Sequence, residues 1–153
     1  MQTVSLAKAL KIKNRLAGEL KRLQQILVRE NSKLVGSVRD VDCENVYESI
    51  VDTMHKLIQV KAEIAKANVG IYGNITRIAE LKGLLAFYAT IPTNDGKIKE
   101  EAGWREVATF SEYNAVYKKV KLDLMSTGIS GEIDKLQDEI DVYNANTKVD
   151  LYV

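Results

Sequence analysis

Between Asn45 and Asn68 apolar residues return every seven positions in two adjacent columns, Ile50/Leu57/Ile64 and Val51/Ile58/Ala65, and Tyr47 and Met54 begin a third. A repeat near 3.5 residues lays such columns along one side of a helix and asks for a partner helix against it. The opposite side carries Glu48, Asp52, Lys56, Gln59 and Glu63, with Asp52 four residues before Lys56 in the favourable order for a helical ion pair. Lys61 and Asn68 continue the third column, so the seam is wetter towards its end. The two apolar columns together make a face wide enough for two neighbours, expected to be the first helix on one side and the C-terminal helix on the other. Asp42 or Asn45 is the expected cap, and Asn68 to Gly70 the expected left-handed close.

The same patterning predicts the other elements. A first helix from Ser5 to about Glu30 carries Leu6, Ala9, Leu10, Leu16, Ala17, Leu20, Leu23 and Leu27 on one side, interrupted by Lys13. Its length is roughly 39 Å at the usual helical rise. Ile12 and Ile26 lie off that stripe, and Asn31-Ser32 is a polar stop. Residues 32–44 have no clear period, and Gly36-Ser37 reads as a turn. A third helix, capped by Asn74, carries Ile75, Ile78, Leu81, Leu85 and Tyr88 until Pro92 forbids its continuation. Asn94-Asp95-Gly96 signals a turn, and the β-branched and aromatic content from Trp104 to Phe110 suggests a small extended or β-hairpin excursion near residues 90–110. Ser111 is the expected cap of a last helix, with a first stripe of Tyr113, Val116, Tyr117, Val120 and Leu124 and a second of Ile129, Ile133, Leu136, Ile140 and Tyr143. Gly128 and Gly131 fall between them at about 1 kcal/mol each in a helix interior, so a break or kink is expected there. The fold class is therefore mainly α: one domain over residues 1–153, an antiparallel bundle of long coiled-coil-like helices.

Composition sharpens this in two places. Hydrophobic residues at 46% with 28% charged residues describe a folded chain, and a single proline, Pro92, leaves long tracts free for helices. Net charge is only +1, yet residues 1–39 hold nine Lys or Arg against Glu19 and Glu30, while residues 111–153 hold eight acids and five bases. Opposite ends of this kind steer pairing within one subunit or between subunits. The N-terminus lacks the apolar core of a signal peptide, and the longest apolar run, 84–89, is far short of the roughly 20 residues of a membrane span. The expected location is cytoplasmic, or a virion if the chain is phage-encoded. Asn74-Ile75-Thr76 fits a glycosylation sequon, which has no consequence there.

Candidate chemistry is thin. His55 is the only histidine and Cys43 the only cysteine, so neither a zinc cluster nor a disulfide can be assembled, and Asp42 and Glu44 oppose a Cys43 thiolate. The acids Glu132, Asp134, Asp138, Glu139 and Asp141 lack the Glu-x-x-His partner of bundle metal sites and read as a solvated face. The bases Lys8, Lys11, Arg15, Lys21, Arg22 and Arg29 suit a polyanion or an anionic membrane, but no aromatic residue interleaves them. Gly70 and Gly73 bracket Ile71-Tyr72 without forming a phosphate loop. Tyr47, Tyr113, Tyr117 and Tyr143 fall on apolar stripes and are expected to pack with hydroxyls at the edge. No catalytic, cofactor-binding or metal-ligating residue is assigned, and no cofactor is expected.

The order of short motifs is Leu6-Ala7-Lys8-Ala9-Leu10, Ile64-Ala65-Lys66-Ala67-Asn68, Ile75-Thr76-Arg77-Ile78-Ala79-Glu80-Leu81-Lys82, and Ile133-Asp134-Lys135-Leu136-Gln137-Asp138-Glu139-Ile140. It resembles a septicolysin-like family of small bacterial helical proteins over nearly the whole chain. That family has Asn-x-Thr-Asn where this chain has Lys66-Ala67-Asn68-Val69, and an Asn-Trp segment where it has Asn144-Ala145-Asn146-Thr147. The resemblance implies a helical fold and, by its label, a lysin; it carries over no catalytic residues. The expected function is a non-enzymatic structural or assembly protein that forms a homo-oligomer through helix pairing, including the case of a phage virion component. A membrane-acting lysin and a nucleic-acid-binding module using the first helix are the alternatives. Partners are other helical subunits, with nucleic acid and membrane ranked below them and no small-molecule substrate evident.

Overall fold

A computed structural model describes residues 1–99 and 110–152. Helix dominates, in four long segments among the described residues, with two small antiparallel strand pairs beside them. The chain divides into two compact units, residues 1–72 with 140–153, and residues 73–139.

The first unit begins with strand β1 (Gln2–Ser5) and helix α1 (Leu6–Glu30). Ser5 stays extended, and its hydroxyl accepts the Lys8 amide N–H at 3.3 Å, which starts the helix. Helix α2 (Cys43–Ala67) is capped by Asp42, whose carboxylate accepts the amides of Glu44 and Asn45. The two helices run antiparallel: Leu6 and Ala9 at the start of α1 share a core with Val60 and Ile64 near the end of α2. Strand β4 (Lys148–Leu151) returns to pair with β1 in the register Gln2–Leu151 to Ser5–Lys148. Its period of two sends Val149 and Leu151 into the same core while Lys148 and Asp150 face water. The Leu6 amide N–H donates to the Thr147 carbonyl at 2.8 Å, extending this clasp into the first turn of α1.

The seam on α2 is narrower than the repeat predicts. Its buried line is Thr53, Leu57, Val60 and Ile64, with Ile58 and Ala65 outside and Tyr47 largely exposed. Within the first unit α1 and the strand pair cover one stripe, centred between the Leu57 and Val60 rows. The end of α2 also differs. Asn68 keeps right-handed helical angles and opens a single 3-10 turn, Asn68–Gly70, so the left-handed close is not formed. Gly70 is needed for a different reason. A Cβ there would sit 2.6 Å from the Tyr143 hydroxyl, which donates to the Ala67 carbonyl at 2.8 Å.

The second unit is built on helix α3 (Tyr72–Thr90) and helix α4 (Lys119–Asn146), whose last residues belong to the first unit. Asn74 does not cap α3; its amide donates to Glu139 at 2.6 Å, and Arg77 bonds Glu132. These links set α3 antiparallel to α4. Ile78 and Leu122 are buried, and Leu81, Leu85, Tyr88, Met125, Ile129, Ile133 and Leu136 are half-buried. Helix α4 passes through Gly128 and Gly131 without interruption, contrary to the expected break, and a Cβ at either would meet open space. Two glycine costs of about 1 kcal/mol are outweighed by a stripe that stays in phase from Leu122 to Tyr143.

The excursion is a strand pair, β2 (Gly96–Lys99) with β3 (Phe110–Tyr113), in the register Gly96–Tyr113 to Lys99–Phe110. Ser111 therefore lies in a strand and not at a helix cap, and Tyr113, Val116 and Tyr117 precede α4. The expectation for Trp104 and its neighbours falls outside the described residues. Gly96 takes φ +82°, and Asp95 accepts the Ala115 amide and the Lys118 ammonium, which pins the approach to α4.

Candidate interaction surfaces

The residues that sequence singles out for chemistry do not converge. His55 is exposed on α2. Cys43 is the half-buried first residue of the same helix, in a shallow cleft with Leu27, Asn31, Tyr47 and Glu48. Of the acids on α4, Glu132 is held by Arg77 and Glu139 by Asn74, while Asp134 and Asp138 face water. Among the described residues no group of three or more His, Cys, Asp or Glu side chains is placed to share a metal ion. None of the described helices is long and apolar enough to cross a membrane. Of the four tyrosines, only Tyr143 packs as expected, against the core and the Ala67 carbonyl; Tyr47, Tyr113 and Tyr117 remain at the surface. The reason is that the first stripe they were placed on is not helical before Lys119, and α2 is covered on its other side.

Three surfaces stand out instead. The first is the loop joining α1 to α2, residues 31–42, which is organised around Glu30. That side chain is almost wholly buried, accepts Arg29 at 2.8 Å, Lys33 at 2.6 Å and the Asp40 amide at 3.3 Å, and leaves no lone carboxylate in the interior. The Lys33 and Arg29 bonds, helped by the Asp40 amide, hold its carboxyl well below the usual range, at about 2. Arg39 donates to the Glu30 and Asn31 carbonyls, and Lys33 also reaches the Val38 carbonyl. At the apex a turn closes from the Ser37 amide to the Leu34 carbonyl, with Gly36 at φ +88° as a type II turn requires. The loop presents Leu34, Val35 and Val38 to solvent among polar residues that are also exposed. Sequence gave Gly36-Ser37 as a turn, but nothing in it marked Glu30 as the anchor.

The second surface lies on the second unit. Helix α3 has apolar residues on every side, with Asn74, Thr76, Arg77, Glu80 and Lys82 between them, but buries only the Ile78, Leu81, Leu85 and Tyr88 side. Leu84 and Phe87 are exposed, the latter at 57%, and Ala79, Gly83 and Ala86 lie on the same outward half. On α4, Val120 and Leu124 are about as open, at 71% and 70%. Such a helix is ordinarily covered on both sides.

The third is the basic flank of α1. Lys8, Lys11, Arg15, Gly18, Arg22, Gln25 and Arg29 follow one another at spacings of three and four, and every one is exposed. Arg22 grips Glu19 through two bonds of 2.9 and 2.6 Å, which lowers the Glu19 pKa through the guanidinium hydrogen bond. Lys8, Lys11 and Arg15 have no ionic partner among the described residues. The acids Asp52 and Glu63 of α2 are already engaged by Lys56 and Lys66.

Comparison of the chain with known protein families, characterised proteins and solved structures finds no match.

Proposed function

We propose that the chain is a non-enzymatic assembly subunit whose copies join through the second unit, a bundle completed between subunits. The observation that carries this is the outward face of α3, where Ala79, Gly83, Ala86 and Phe87 stand uncovered beside Leu84. Glycine and alanine allow a second helix to approach closely, and Phe87 supplies a large apolar anchor. Glu80 stands within this face, between Phe87 and Leu84, and Lys82 at its margin, opposite charges that an isologous contact between identical copies can set against each other. Compact helical subunits of this kind suit a phage virion as well as a cellular scaffold, and the septicolysin-like resemblance is compatible with either.

Light scattering tests the proposal. The expected mass at micromolar concentration is a multiple of 17.1 kDa, falling to one copy in Phe87→Glu with helicity unchanged. A wild-type monomer at that concentration overturns it. Genes for capsid or tail proteins beside its own would favour the virion form.

A second reading, a membrane-acting lysin, draws on the ordered apex that carries Leu34, Val35 and Val38. It predicts dye release from liposomes that Val35→Asp abolishes; intact vesicles over a wide concentration range remove it.

A further inference from the structure

We infer that the basic flank of α1 is a track for the phosphate backbone of double-stranded nucleic acid, bound without regard to sequence. Seven exposed positions from Lys8 to Arg29 form one line about 32 Å long, taking the helical rise. Five carry a positive charge, two are Gly18 and Gln25, and none is acidic. Two acids lie beside the line, Glu19 held by Arg22 and Glu30 held by Arg29, and both arginines keep most of their side chains in water while paired. Lys8, Lys11 and Arg15 hold no ion partner among the described residues, which leaves their charges available to an external anion. Gly18, whose missing Cβ faces open space, leaves a gap through which a rigid backbone can approach between Arg15 and Arg22.

The chemistry of the line selects among polyanions. Helix α1 has no aromatic residue, so it offers no platform on which the bases of a single strand could stack. Beside the line stand the polar Asn14 and Lys21, and Val28 is the single large apolar residue exposed on α1, whereas a helix lying in a membrane interface needs a continuous apolar row beside its bases. A duplex needs neither. It presents phosphates at fixed spacing to a straight row of cations and asks for no reading of base edges. The inference concerns the first unit and stands apart from assembly through the second.

The test uses the full chain with a fluorescent mixed-sequence DNA duplex and follows anisotropy as salt is raised. With three to five phosphates neutralised, the slope of log affinity against log salt is expected between about −2.7 and −4.5. Lys8→Gln/Lys11→Gln/Arg15→Gln removes about 2.7 from the slope and costs on the order of 100-fold or more in affinity at roughly 100 mM salt. Gly18→Glu, at a position with room for a side chain, weakens binding through one like charge and serves as an independent variant. Lys56→Gln/Lys61→Gln/Lys66→Gln on α2 leaves affinity within about threefold, because those bases lie off the line. The inference is overturned if duplex DNA fails to bind at low salt, if the α1 and α2 triple variants lose affinity equally, or if only phosphatidylserine vesicles bind.

Discussion

Truncating Leu151 to alanine tests whether the strand pair holds the first unit together. Leu151 is 0% exposed and lies in the core with Val4, Leu6, Val60, Ile64 and Val149. Leu151→Ala removes three buried carbons, about 2.4 kcal/mol of transfer free energy at 0.8 kcal/mol per methylene. The neighbours close the space poorly, since Val60 and Ile64 are fixed on α2 and Val4 and Val149 are held in register across the ladder. A cavity term therefore adds to the loss, and the expected total is about 3–5 kcal/mol. Asp150→Ala is the matched control on the same strand. Its side chain faces water and accepts one exposed hydrogen bond from Thr3 at 2.6 Å, so the expected loss is below about 1 kcal/mol. Denaturant unfolding followed by circular dichroism gives both values, provided the slope of each transition is unchanged. Equal losses from Leu151→Ala and Asp150→Ala would refute the docking of β4 on the helical pair.

Three further outcomes are expected. Gly70→Ala drives a methyl against the Tyr143 hydroxyl and should cost about 1–3 kcal/mol, with part recovered in Gly70→Ala/Tyr143→Phe; a double-mutant cycle reads the coupling, and strict additivity denies the contact. Gly128→Ala and Gly131→Ala should each raise stability by about 0.5–1 kcal/mol, measured as a shift in denaturation midpoint, because both positions are helical and open. Glu30 has a folded pKa of about 2 against an ordinary 4.5, so the unfolded chain binds the proton more readily. Its contribution is complete above about pH 4.5 and lost as pH falls through 2. The stability gap between wild type and Glu30→Gln should therefore shrink from pH 5 to pH 2, and a gap constant over that range contradicts the assignment.

Much of the helical layout is legible in the chain because it rests on local rules. Ser5 and Asp42 are cap residues followed by apolar periodicity, Pro92 cannot continue a helix, and Leu57 and Ile64 repeat at seven. Other residues misled for physical reasons. Asn74 is a good cap by type, but Glu139 offers its amide a partner across the helix pair. Ser111 followed by Glu112 resembles a helix start, yet these residues pair with Lys97 and Ile98 in a ladder. Of the candidate surfaces, the basic flank was visible as composition; that Arg22 and Arg29 are paired while Lys8, Lys11 and Arg15 have no ionic partner among the described residues was not.

Sequence alone determined that the chain is mainly helical, where its first two helices start and stop, and that its charge is concentrated at the N-terminal end. Periodicity, capping and composition act within a few residues of one another, so no tertiary information is needed for them. Only the tertiary structure decided that β1 and β4, nearly a chain length apart, meet in one core, and that Glu30 is enclosed. It also decided which stripe of α2 is covered, which face of α3 is left open and that α4 runs through its glycines. Each of those depends on what stands opposite a residue, and that is fixed by packing between distant segments.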